Sequence, residues 1–177
     1  MNWLSRVKRP EVLLELCGVM LLALYMSVLP HAHLYCQPYS QALTTQTTEG
    51  VLDFRRNNKT GQVILINGQV FTCAQDTIVR NDCYYRSGDG TSVSLPNELV
   101  GKHGIVQWTS FEVFPWQTLK VVISLSVDGK FYRTAADFDR SLAFSKKSAM
   151  QWDLFVILLF LVYAWFRLYF RPRLYKH

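Results

Sequence analysis

Charge is scarce in this chain: Asp, Glu, Lys and Arg make up 18% of its 177 residues, against 50% hydrophobic. That balance excludes an intrinsically disordered protein. Catalytic signatures are missing as well. There is no Gly-x-Ser-x-Gly elbow, phosphate-binding loop or dinucleotide fingerprint. His103 sits in a turn-like Gly101-Lys102-His103-Gly104, away from any nucleophile signature, and Asp137 and Asp139, either side of Phe138, lie about 200° apart around a helix and make no acid/base pair there. The inventory predicts a protein that is not an enzyme and that carries no cofactor. No repeat at a period of 20 to 50 residues and no Gly/Ser-rich linker occurs, and the length fits one modest domain.

The chain has 19 basic against 13 acidic residues, a net charge of +6. In a soluble protein this would raise nucleic acid as a partner, but the excess is terminal. Residues 31–150 hold 12 basic and 10 acidic groups, whereas Arg6, Lys8 and Arg9 lie at one end and Arg167, Arg171, Arg173 and Lys176 at the other. No nucleic-acid partner is expected. The bilayer is, because Val12 to Pro30 is apolar apart from Glu15 and Ser27, and Leu154 to Phe166 contains no charge. A hydrocarbon core needs about 20 helical residues, so each span recruits amphipathic ends. Trp3, Tyr35, Trp152, Trp165, Tyr169 and Phe170 supply interfacial anchors. Residues 1–32 also have the outline of a signal peptide, but Leu29-Pro30-His31-Ala32-His33 lacks the small residues of a cleavage site, which favours an uncleaved anchor.

By the positive-inside rule the basic ends lie in the cytoplasm. The expected order is a cytoplasmic segment 1–11, a first transmembrane helix 12–30, a tether 31–50 and an extracytoplasmic β domain 51–135. A juxtamembrane helix 136–150, a second transmembrane helix 151–170 and a cytoplasmic tail 171–177 follow. The implied location is a bacterial inner membrane with the central domain periplasmic. Glu15, costly in hydrocarbon, is expected to pair with Arg167 at the same depth.

The central domain reads as all β. Gln62 to Cys73 is a hairpin about Asn67-Gly68, and Leu119 to Arg133 a second about Asp128-Gly129, since both central positions of a type I′ turn need positive φ. Val121, Ile123, Leu125 and Val127 alternate with Val122, Ser124 and Ser126, which assigns the first set to the core. Ile78 to Tyr85 and Gly104 to Thr109 add strands. With six or seven short strands to protect, a membrane-anchored all-β domain is expected, a small β-barrel of OB-like type flanked by two transmembrane helices, with a sandwich as the alternative. Phe138 and Leu142, at helical spacing, suggest that the second membrane helix begins early.

Cys73 and Cys83 lie on the oxidising side in this topology and predict a disulfide; Cys36 is left free or intermolecularly paired. His31, His33 and Cys36 form the densest set of metal-ligating types, with both His on one side if the segment is extended. Cys17, Met20 and Met26 form no single stripe at 100° per residue, so no soft-metal path follows. Asn58-Lys59-Thr60 is a glycosylation acceptor in a eukaryotic host. Phe111, Phe114 and Trp116, with Trp108 and Pro115, crowd too many large apolar side chains into one stretch for all to be buried, and predict a partner-binding surface. The expectation is an integral membrane accessory protein whose β module binds or restrains a membrane or secreted protein partner, or a second copy. Metal or small-ligand handling at His31, His33 and Cys36 is the alternative.

Overall fold

The computed structural model describes residues 10–57, 61–73, 83–86, 92–113 and 116–169. Two compact units emerge, one made of residues up to Ala32 together with those from Lys147 onward, the other of His33–Lys146.

The first unit is helical. Helix α1 covers Pro10–Met26 and α2 Val28–Cys36, with a 44° bend between them. Proline at the first position of α1 loses no hydrogen bond. Pro30 has the opposite effect, because its ring displaces the carbonyl of Met26 four residues earlier and its nitrogen has no proton to donate there. Ser27 adds to the bend by returning its hydroxyl to Ala23 O at 2.8 Å. Helix α3, Ala135–Tyr169, is continuous and, by length and hydropathy, able to cross a membrane alone; α1 and α2 pass the same test only as a bent pair. Within this unit Leu16, Val19 and Ala23 on α1, and Val156, Phe160 and Ala164 on α3, are half-buried at three- and four-residue spacing, while Leu14, Leu21, Leu22, Leu158 and Leu161 are exposed. Helices of this pattern pair along one seam and offer the rest of their surface to lipid.

The second unit is a mixed helix-and-sheet domain, which corrects the expected all-β barrel. Strands β1 (Gln46–Asn57), β2 (Gly61–Ile66), β3 (Gln69–Phe71), β6 (His103–Val113), β7 (Gln117–Val127) and β8 (Lys130–Arg133) form one open sheet in the order β3-β2-β1-β6-β7-β8. Strands β4 (Tyr84–Arg86) and β5 (Ser92–Ser94) form a separate pair. A barrel needs its two edge strands to pair, but β3 has three residues and β8 four. Directly after β8, Thr134 and Asp137 cap α3: Thr134 N–H and Oγ donate to Asp137 Oδ2 at 3.0 and 2.7 Å, and Asp137 N–H returns to Thr134 Oγ at 3.3 Å. The chain thus leaves the sheet before the edge can extend. Thr72, just past β3, makes an isolated parallel bridge to Val121, with Thr72 N–H to Lys120 O and Val122 N–H to Thr72 O both 2.9 Å. It stitches the first hairpin to β7 without a ladder.

Both predicted type I′ turns are present: φ is +51° and +75° at Asn67 and Gly68, and +50° and +78° at Asp128 and Gly129. The alternation along β7 is broken. Gln107 pairs with Ser124 but Trp108 with Val122, so Ile123 is an extra residue and the face parity reverses there. Val122, Leu125 and Val127 therefore share the core with Leu52, Ile64, Ile66, Phe71, Val106 and Trp108, while Val121 and Ile123 are buried outside that cluster. Gly104 faces Leu52 so closely that an added Cβ would lie 2.6 Å from its Cδ1.

The segment expected to be a tether is instead structured. Helix α2 runs to Cys36, a 3-10 turn covers Ser40–Ala42, and β1 starts at Gln46. Ser40 donates from both N–H and Oγ to Asp139 at 2.7 Å each, and Lys146 Nζ donates to Gln37 O at 2.8 Å while lying 5.0 Å from the Tyr39 ring centre. These contacts strap residues 37–40 along the start of α3, where Phe138 and Leu142 are fully buried.

Candidate functional site

Two polar clasps punctuate the helical unit. In the first, Arg167 Nε reaches both Glu15 oxygens at 2.9 Å, Arg167 Nη2 donates to Oε2 at 2.6 Å, and Tyr163 Oη donates to Oε1 at 2.5 Å. The planar guanidinium fork matches the carboxylate, and each charge answers the desolvation of the other. The second joins α2 to α3: His31 Nδ1 lies 2.8 Å from Asp153 Oδ1, with both side chains at most one-tenth exposed. Asp153 carried no sequence signal beyond being the one acid near the start of the second apolar run. Its partner lies 122 positions away.

That pairing changes the reading of the His/Cys segment. Residues 31 to 36 are helical, so His31 and His33 are separated by about 200° around the axis and do not face one side. Cys36 is a free, exposed thiol, as is Cys17. Among the described residues no three His, Cys, Asp or Glu side chains gather as metal ligands would. Asp137 and Asp139 are occupied as a helix cap and a strap anchor, and His103 is an exposed residue at the start of β6, opposite Val51.

In the sheet domain Cys73 and Cys83 form a disulfide with Cα atoms 5.2 Å apart, and both are buried in the core. It joins the end of the first hairpin to the start of β4. Arg133 is the unexpected residue. Its register places it with Leu125 on the inward face; Nε donates to Val122 O at 3.1 Å, and Nη2 is buried without an acceptor. Burial pulls its pKa below the usual guanidinium range, to about 10, opposed by the nearby Asp137 carboxylate. A charged side chain turned inward from an edge strand is invisible to a search for catalytic motifs.

The aromatic stretch is divided by its surroundings. Trp108 is buried, donates from Nε1 to Thr48 Oγ at 2.9 Å and packs at 5.5 Å from Phe71, with Lys120 Nζ 4.9 Å over its ring. Phe111 is half-buried on β6 opposite Leu119. Trp116 is 89% exposed, at the turn between β6 and β7. Phe114 lies outside the described residues, as does Asn58. The arrangement supplies a disulfide-stapled module and a polar-clasped helix pair, with Trp116, Phe131 and Phe144 among the exposed aromatics. Comparison with protein-family models, with curated proteins and with solved structures finds no match to this chain.

Proposed function

We propose that this membrane-associated protein is a non-enzymatic accessory subunit that crosses the bilayer twice, keeps both termini in the cytoplasm and holds its sheet domain outside to bind or restrain a protein partner. The observation that carries the reading is the Cys73–Cys83 disulfide in a domain continuous with an apolar helix long enough to span a membrane. Structural disulfides belong to oxidising compartments. The Glu15–Arg167 and His31–Asp153 clasps support two spans, since charges in hydrocarbon persist when each has a partner on a neighbouring helix. A stapled module on a fixed anchor suits positioning rather than turnover.

Crosslinking in native membranes, followed by mild-detergent purification and mass spectrometry, tests the partner. Stoichiometric recovery of another protein is expected, and repeated recovery of the chain alone overturns the reading. Topology is tested separately with a membrane-impermeant maleimide on intact cells or spheroplasts, where the exposed Cys36 should react. Labelling only after lysis would reverse the orientation.

A further inference from the structure

Gln37 is buried with the bonding capacity of its side chain unmet. It is 5% exposed, and neither Oε1 nor Nε2 meets a hydrogen-bond partner among the described residues. A primary amide donates two hydrogen bonds and accepts as many, and sealing it away with none of them made is costly. Leucine or methionine would fill similar space without that cost, so a glutamine here needs an account.

The backbone holds the residue in place. Gln37 N–H donates to Leu34 O at 3.3 Å, closing the last turn of α2, and Pro38 turns the chain away from a further helical residue. Gln37 O accepts from Lys146 Nζ at 2.8 Å, and three residues on Ser40 is fixed to Asp139 by two bonds of 2.7 Å. The amide cannot reach solvent unless these contacts break. Other polar groups are buried nearby in sequence and register. His33, one turn back on the same side of α2, has a buried Nδ1. Ser145, next to Lys146, continues the buried stripe of Phe138 and Leu142 on α3.

These surroundings restrict the ligand. Enclosure excludes a metabolite or a partner's side chain, and the Lys146 ammonium on the carbonyl of Gln37 disfavours a metal cation. The amide offers both donors and an acceptor, which a small neutral molecule able to donate and accept would match. Water fits, and buried waters ordinarily make about three hydrogen bonds to such groups.

We infer that the Gln37 side chain binds internal water at the end of α2, and that this water is a third fastening of the strap beside the Lys146–Gln37 and Ser40–Asp139 contacts. The inference is independent of the accessory-subunit reading, because it concerns only packing inside the second unit.

The test uses full-length protein in detergent micelles, with the Gln37 side-chain amide assigned through its bonds to the backbone and its cross-relaxation with water measured in the laboratory and rotating frames. The expected result is a water cross-peak of opposite sign in the two frames, the mark of water that tumbles with the protein rather than of proton exchange. It should persist in Ser145→Ala. No such cross-peak in the parent overturns the inference, and so does its loss in Ser145→Ala, which would make the hydroxyl proton its source. Thermal unfolding gives a second readout. Gln37→Leu should melt below the parent, because the water loses its seat; a variant that melts above the parent overturns the inference by showing that the amide was unmet.

Discussion

On edge strand β8, Arg133 turns inward in register with Leu125, and Val106 is the next inward residue across the ladder. An inward charge is one of the devices that stops an exposed edge from recruiting further strands. It works against stability. In the unfolded chain the guanidinium keeps its ordinary high pKa, while burial lowers the folded value to about 10. Below about pH 10 both states are protonated and the full desolvation penalty opposes folding; above about 10 the folded state releases its proton before the unfolded one and the penalty lifts. Arg133→Met is therefore expected to equal or exceed the parent in urea stability at pH 7, by up to about 1 to 4 kcal/mol, with the gap narrowing as pH rises through 10. A gap that widens with pH would contradict the assignment. Glu15 represents the opposite case, because its partner is present. Glu15→Gln should cost about 1 to 3 kcal/mol in detergent by leaving Arg167 without its counter-charge. The pair Glu15→Gln, Arg167→Leu should recover much of that loss in a double-mutant cycle.

Among the elements, the stapled hairpin and the cap of α3 bear most directly on how the sheet domain holds together. Cys73 and Cys83 are separated by ten positions, and closing a loop of that size removes about 3 kcal/mol of unfolded-state entropy in the chain-entropy model. Replacing both by Ala should lower stability by about 2 to 4 kcal/mol, read as the shift in denaturant midpoint between matched non-reduced samples. Thr134→Ala removes the hydroxyl shared with Asp137 and should cost about 1 kcal/mol. The elements also show what a sequence makes legible. Asn67-Gly68 and Asp128-Gly129 announced their turns because positive φ is a local demand, and Cys73 with Cys83 announced a bridge by their spacing across two strand signals. Glu15 and Arg167 were legible as isolated charges at matching depth. The open sheet was not, since closure depends on how far β3 and β8 run, and a capping box ended β8 early. The extra residue at Ile123 was hidden for a similar reason: a bulge is defined by the partner strand, and the alternation of β7 alone reads as regular. The Asp153 clasp is not legible because its partner His31 is 122 positions away and sits beside His33 and Cys36, whose spacing signals a different chemistry.

For the whole molecule, the charges set the depth of insertion. Lys147 and Arg167 are 20 residues apart on one helix, about 30 Å at 1.5 Å per residue, which equals the usual hydrocarbon thickness. On that placement Asp153 lies about 9 Å inside the boundary at the Lys147 end, paired with His31. Single cysteines placed in a Cys17→Ser, Cys36→Ser background should follow this rule: Lys147→Cys reacts with an impermeant maleimide and Phe160→Cys does not. Equal labelling at both would move the span. The β6–β7 turn sets a local demand of its own, a φ of +54° at Trp116, which a glycine meets more cheaply. The tryptophan codon differs from a glycine codon in its first base alone, so one transversion reaches that turn, and a library randomised there and selected for survival of proteolysis should enrich glycine.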